Sequence, residues 1–134
     1  MFEFLEKRKV WLVYVPLVVY WLTLFFATSL PVQKLPSVGI SDKFAHFTAF
    51  FCLSVLLNLT LIFQRKSQLL FNKAFLATII ICLVYAAVDE LHQMLIPGRS
   101  AEVLDWVADG LGTIAGILTL YFLIYKLKYH LKFE

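Results

Sequence analysis

The chain has 134 residues, of which 61% are hydrophobic and 16% charged, with a mean hydropathy of +0.82 and a net charge of +3. A water-soluble domain of this size carries about 25% charged residues and about half apolar ones, so the composition excludes an ordinary soluble domain and points to an integral membrane protein. The length leaves room for a single domain.

Four apolar runs follow one another along the chain: Val10 to Leu30, Phe44 to Phe63, Ala74 to about Leu95, and Val103 to Tyr125. Each is about 20 residues long, enough to cross a hydrocarbon layer of about 30 Å as a helix. Helices alone fit, because a backbone in lipid must satisfy its own hydrogen bonds and the alternating polarity of a membrane barrel strand is missing. The expected architecture is an all-α membrane protein, a bundle of four transmembrane helices in one domain over residues 1–134. The first run follows Lys7, Arg8 and Lys9 and contains Ala27-Thr28-Ser29 near its end, the order of a signal peptide, but it is too long for a signal peptide's apolar core and is read as a retained helix. Pro16 lies inside it, which membrane helices tolerate with a kink.

In the second run Asp42, His46, Ala49 and Leu53 fall on one face at the 3.6-residue period, with Lys43 at its edge. In the third, Thr78, Cys82, Tyr85, Asp89 and Gln93 share a face flanked by Glu90 and His92. Pro97-Gly98 ends that helix, and the short loop through Ser100 to Glu102 makes the third and fourth helices antiparallel neighbours, with Arg99 held above the acids. Ser100 is a possible cap for the fourth helix, but the helix dipole explains Glu102 and Asp105 in its first turn better. In the fourth helix Asp105, Asp109, Gly112 and Gly116 align. The two glycines form a small-x-x-x-small motif that allows close helix approach, within the bundle or through a homodimer. Cys52 and Cys82 lie inside apolar runs and read as buried free thiols.

Basic residues set topology. Nine of them (Lys7, Arg8, Lys9, Arg65, Lys66, Lys73, Lys126, Lys128, Lys132) fall on one side of a four-helix bundle, and three (Lys34, Lys43, Arg99) on the other. Both termini are therefore expected in the cytoplasm, in a plasma or inner membrane, with the acids on the outer face. The basic clusters flank helices and call for no nucleic acid.

The stretch from Asp89 to Asp109, DELHQMLIPGRSAEVLDWVAD, concentrates the chemistry. Ionisable groups at membrane depth are costly and persist where they face a bundle interior, a cavity or a partner. Taken singly, each has a bland reading: Arg99 as counterion to Asp105 or Glu90, His46 as donor to a neighbouring carboxylate, the aspartates as helix caps, and Trp11, Trp106 and Tyr125 as interfacial anchors. Three helices with inward polar stripes at one level are read together as a site. Asp42, Lys43, His46, Glu90, Gln93, Arg99, Asp105 and Asp109 are its expected ligand-binding residues. Arg99 and Lys43 suit a phosphate or carboxylate, and the acids and Gln93 suit sugar or peptide groups. For an enzyme, His46, Glu90 and Asp105 are the acid/base candidates, although no established catalytic signature is present. No cofactor is indicated; Asp105, Asp109, Glu90 and His46 are nonetheless a set able to ligate a divalent metal. The cytoplasmic halves offer little beyond Asn58, Thr78, Cys82 and Thr119, too few polar groups for a proton path.

These residues resemble the VanZ-like family. The resemblance rests on Asp42-Lys43-x-x-His46-Phe47, Glu90-x-x-Gln93, Pro97-Gly98-Arg99-Ser100, and Asp105-x-x-x-Asp109-Gly110 with Gly112 and Gly116, in that order, from about residue 10 to 125. Asp109 departs from it, standing where the family commonly has Asn. The resemblance implies a multi-pass protein of the bacterial cell envelope. The family's namesake is associated with low-level resistance to the glycopeptide teicoplanin. The partners so implied are membrane lipids and either a lipid-linked envelope precursor or a glycopeptide, bound or modulated at an outward-facing pocket. The alternative is an enzyme acting on a lipid headgroup at the outer leaflet.

Overall fold

The structure is a computed structural model that describes residues 1–31, 41–64 and 66–127. Lys34, Arg65, Lys128 and Lys132, four of the basic residues used for topology, lie outside them. Every regular element among the described residues is helical, as the apolar runs require.

A short helix α1, Phe2–Lys7, leads into the first span, Val10–Thr28. That span opens with a π-helical turn, Val10–Tyr14, and continues without a break as α2, Val15–Thr28. Pro16 sits in the first turn of α2. A proline has no N–H to return to the carbonyl four residues back, and a widened turn just upstream is a common accommodation in long helices. The irregularity expected at Pro16 takes this form.

The second span, α3, runs over Asp42–Phe63 and starts two residues before the apolar run does, because Ser41 Oγ accepts the Phe44 N–H at 3.3 Å. A one-turn helix α4, Gln68–Asn72, was not expected; Ser67 Oγ caps it through the Leu70 N–H. The last two spans are α5, Ala74–Gln93, and α6, Val103–Lys126. The four spans are long and apolar enough to cross a membrane, and the protein is an all-α membrane protein.

The turn between α5 and α6 is set by its sequence. Arg99 N–H donates to Ile96 O at 3.1 Å, and Gly98 has a φ of 80°. A tight turn with proline second and a left-handed residue third requires glycine at that third place.

Helix α3 is the most deeply buried span and the first span the least. The closest approach in the bundle is between α3 and α6. A Cβ placed on Gly112 would strike the backbone carbonyl of Phe47, and one on Gly116 would strike Phe51 O and Ser54 Oγ. The small-residue motif thus works inside one chain. Both glycines are buried against α3, so the homodimer expected through them has no access to that face. Cys82 is buried, Cys52 partly so, and neither forms a disulfide.

Candidate functional site

Alternating helix directions bring the end of α2, the start of α3, the end of α5 and the start of α6 to one end of the bundle. The last three contribute the polar faces that their periodicity placed there, and α2 adds Thr28. His46, Asp89, Glu90, Gln93, Asp105 and Asp109 are all buried. Two connected clusters result, sharing the α5 end.

The first cluster centres on His46. Its Nδ1 lies 3.0 Å from Asp109 Oδ1 and 3.9 Å from Glu90 Oε1. Asp109 is 0% exposed and Glu90 6%. Glu90 Oε2 accepts the backbone N–H of Glu102 at 2.8 Å, so a side chain from α5 serves the start of α6. The N-cap residue of α6 is Glu102, and no side-chain bond caps the helix; Ser100 does not cap it, and Glu90 holds the N–H of the residue that begins it. Lys43 at the rim donates to Glu102 Oε2 at 2.8 Å and Asp105 Oδ1 at 3.0 Å. Both of its partners are carboxylates of the protein, so Lys43 is not waiting for an anion.

The second cluster centres on Asp89. Thr28 Oγ1 donates to Asp89 Oδ1 at 2.7 Å and Gln93 Nε2 to Oδ2 at 2.9 Å. Arg99 continues this network. It donates through Nη1 to Gln93 Oε1 at 2.9 Å, through Nε to Leu30 O at 3.0 Å and through Nη2 to Ala27 O at 3.2 Å. Arg99 is therefore not the counterion of Asp105 or Glu90. Among the described residues it pairs with no carboxylate and instead closes the last turn of α2, whose terminal carbonyls lack helical donors. Asp89 and Thr28 were missing from the expected site residues. Asp89 could have been retained from its position on the Tyr85–Gln93 face. Thr28 carried no signal, since a threonine near a helix end is usually local.

A cavity of about 210 Å³ lies between α2, α3 and α5. Its polar end is formed by Asp42, His46, Asp89 and Arg99, and its apolar wall includes Leu24, Ala45, Ala49 and Phe50. Of the eight expected ligand-binding residues, Asp42, His46 and Arg99 line this cavity. Glu90 and Asp109 stand behind His46, Gln93 behind Asp89, and Lys43 and Asp105 at the α6 rim. A second groove of about 320 Å³ lies on the other side of Glu90, between Ala87, Leu91, Val103 and Trp106. Trp106 Nε1 donates to Leu83 O at 3.1 Å, which fixes that ring between α5 and α6.

The family model for VanZ/LLP1 matches residues 7–125, nearly the whole chain. The chain belongs to the VanZ/LLP1 family. The match takes in all four spans and every residue of both clusters. An uncharacterized protein of Schizosaccharomyces pombe is 31% identical over 117 residues, which is 87% of this chain and 65% of that relative. The chain thus spans a little under two thirds of the relative's length. No solved structure matches.

Proposed function

We propose that this VanZ/LLP1 protein binds the polar headgroup of an envelope amphiphile, a membrane lipid or a lipid-linked precursor, in the cavity at the acidic end of its bundle. The observation that carries the reading is the amphiphilic lining of that cavity: Asp42, His46, Asp89 and Arg99 at one end, aliphatic and aromatic side chains along the wall. A molecule that is polar at one end and apolar beyond it matches both parts at once.

The distribution of basic residues supports cytoplasmic termini and a cavity near the outer leaflet of the plasma or inner membrane. The volume, about 210 Å³, suits a headgroup. Pockets for drug-sized molecules run to about 300–1,000 Å³, so a whole glycopeptide exceeds it. A relative in a yeast also fits a lipid better than a bacterial wall antibiotic. Lys43 is held by two carboxylates and Arg99 by three acceptors, while the exposed Asp42 carboxylate at the cavity presents acceptors. Hydroxyl and ammonium donors of a headgroup are therefore favoured over a bare phosphate.

Native mass spectrometry of the detergent-purified protein tests this. Wild type should retain one lipid of a defined class, and Ala45→Trp, which fills the cavity from its wall, should lose it. Equal retention by the two proteins would contradict the proposal.

A second reading is an enzyme acting on the same headgroup. His46 lines the cavity while its Nδ1 pairs with a buried carboxylate at 3.0 Å, the arrangement of an oriented general base. Headgroup release from a labelled lipid by wild type, lost in His46→Ala, would select it.

A further inference from the structure

His46, Glu90 and Asp109 come from three different helices, and one ligand atom of each lies within 4.8 Å of the others. All three side chains are buried. Their own hydrogen bonding is incomplete. Glu90 Oε1 and Asp109 Oδ2 are buried and have no hydrogen-bond partner. Glu90 Oε1 faces His46 Nδ1 at 3.9 Å. A buried polar atom left without a partner costs about 1–3 kcal/mol, and more when charged. Two such oxygens on neighbouring carboxylates, both beside one imidazole, call for a common partner.

A basic side chain does not fill that role. Lys43 is engaged with Glu102 and Asp105, and Arg99 with Gln93 and the end of α2. No Lys or Arg ion pair reaches Glu90 or Asp109 among the described residues.

We propose that His46, Glu90 and Asp109 form a binding site for one divalent transition-metal ion of the Zn²⁺ or Mn²⁺ type. An imidazole and two carboxylates are a donor set suited to such ions. As ligands, a neutral imidazole and two carboxylates carry two negative charges, which a divalent cation neutralises inside an apolar bundle. The spacing agrees. Donors about 2.1 Å from one ion and about 90–110° apart lie about 3.0–3.4 Å from each other. His46 and Asp109 already meet this at 3.0 Å, Glu90 Oε1 is 3.9 Å from His46 Nδ1, and all three ligand atoms lie within 4.8 Å of one another, so binding needs a local closure of Glu90 toward the other two. The neighbouring set of Asp42, His46 and Asp105 is the weaker one, because Asp42 is exposed and Asp105 Oδ1 is taken by Lys43. The inference is independent of the headgroup reading, because ion binding is measured without lipid.

The test uses the full chain, purified without a polyhistidine tag, stripped by chelator and equilibrated with Zn²⁺ or Mn²⁺ before elemental analysis. One of the two ions should bind at one per chain. Asp109→Asn and His46→Gln should each weaken binding about tenfold or more, a loss that even outer-shell changes reach, while Asp105→Asn should change it only slightly. Folded wild type that binds neither ion in stoichiometric amount would overturn the proposal, as would unchanged affinity in both Asp109→Asn and His46→Gln. Should those variants not fold, X-ray absorption of the Zn²⁺-loaded wild type decides. A nitrogen/oxygen shell at about 2.0–2.1 Å with one imidazole supports the site. Sulfur ligation or two imidazoles overturns it.

Discussion

Glu90 Oε2 accepts the backbone N–H of Glu102 at 2.8 Å, so one buried carboxylate both starts α6 and leaves its second oxygen facing His46. This links the helix geometry to the polar cluster: α6 cannot shift along α5 without moving Glu90 and changing what surrounds His46. Glu90→Gln keeps an acceptor for the Glu102 N–H and should remain close to wild type in stability. Glu90→Ala removes it and should lower stability by about 1–3 kcal/mol. Denaturant unfolding in detergent, followed by circular dichroism, measures the difference.

The α3–α6 contact makes a graded prediction about glycine. Gly112→Ala and Gly116→Ala each drive a Cβ into the backbone of α3, which cannot yield as a side chain can. Each should cost about 1–3 kcal/mol or more, the range for overpacking. Gly110→Ala meets only Leu83 Cδ2, at 3.2 Å, and should cost well under 1 kcal/mol, as for a small adjustment of a flexible side chain. Thermal midpoints of the three variants, compared side by side, check the order.

The first span is the least buried, and Thr28 with Asp89 forms a polar clasp holding its end to the bundle at 2.7 Å. A double-mutant cycle of Thr28→Val and Asp89→Asn should give a coupling of about 0.6 kcal/mol, and at most about 1.7, the range for side-chain hydrogen bonds inside membrane bundles. Thr28→Val should also raise protease cleavage near residues 29–31. A coupling indistinguishable from zero would mean that the Thr28–Asp89 bond does not help to hold α2, leaving that to packing and to Arg99.

Topology is open to direct labelling. In a background lacking Cys52 and Cys82, a cysteine at Ser100 should react with a membrane-impermeant maleimide added to intact cells. A cysteine at Glu3 should react only after permeabilisation, following the excess of Lys and Arg on the terminal side.

Much of this was legible in the sequence because membrane helices obey two strong rules, length and facial periodicity. These located four spans, set the inward faces of α3, α5 and α6, and grouped His46, Glu90, Asp105 and Asp109 at one level. The partners of the cations were not legible. Lys43 and Arg99 have long side chains that reach more than one turn of a neighbouring helix, and periodicity fixes a Cα, not where a guanidinium ends. Arg99 ties down α2 by donating to Ala27 O and Leu30 O at the end of that helix, a partnership that no spacing encodes. Glu90 in place of Ser100 at the start of α6 was missed for a similar reason, since the acceptor comes from another helix. Small residues announced a close contact at Gly112 and Gly116 but could not say whether the partner was α3 or a second copy.

The proposed selection of a headgroup by the cavity beside His46 is open to direct test. The most direct measurement places a photoreactive amino acid at Ala45, on the cavity wall, and identifies by mass spectrometry the lipids crosslinked in native membranes. The account predicts one headgroup class enriched well above its share of the bulk lipid, with the enrichment lost in Asp89→Asn or His46→Ala. Crosslinks that follow bulk lipid composition, unchanged by either substitution, would contradict it.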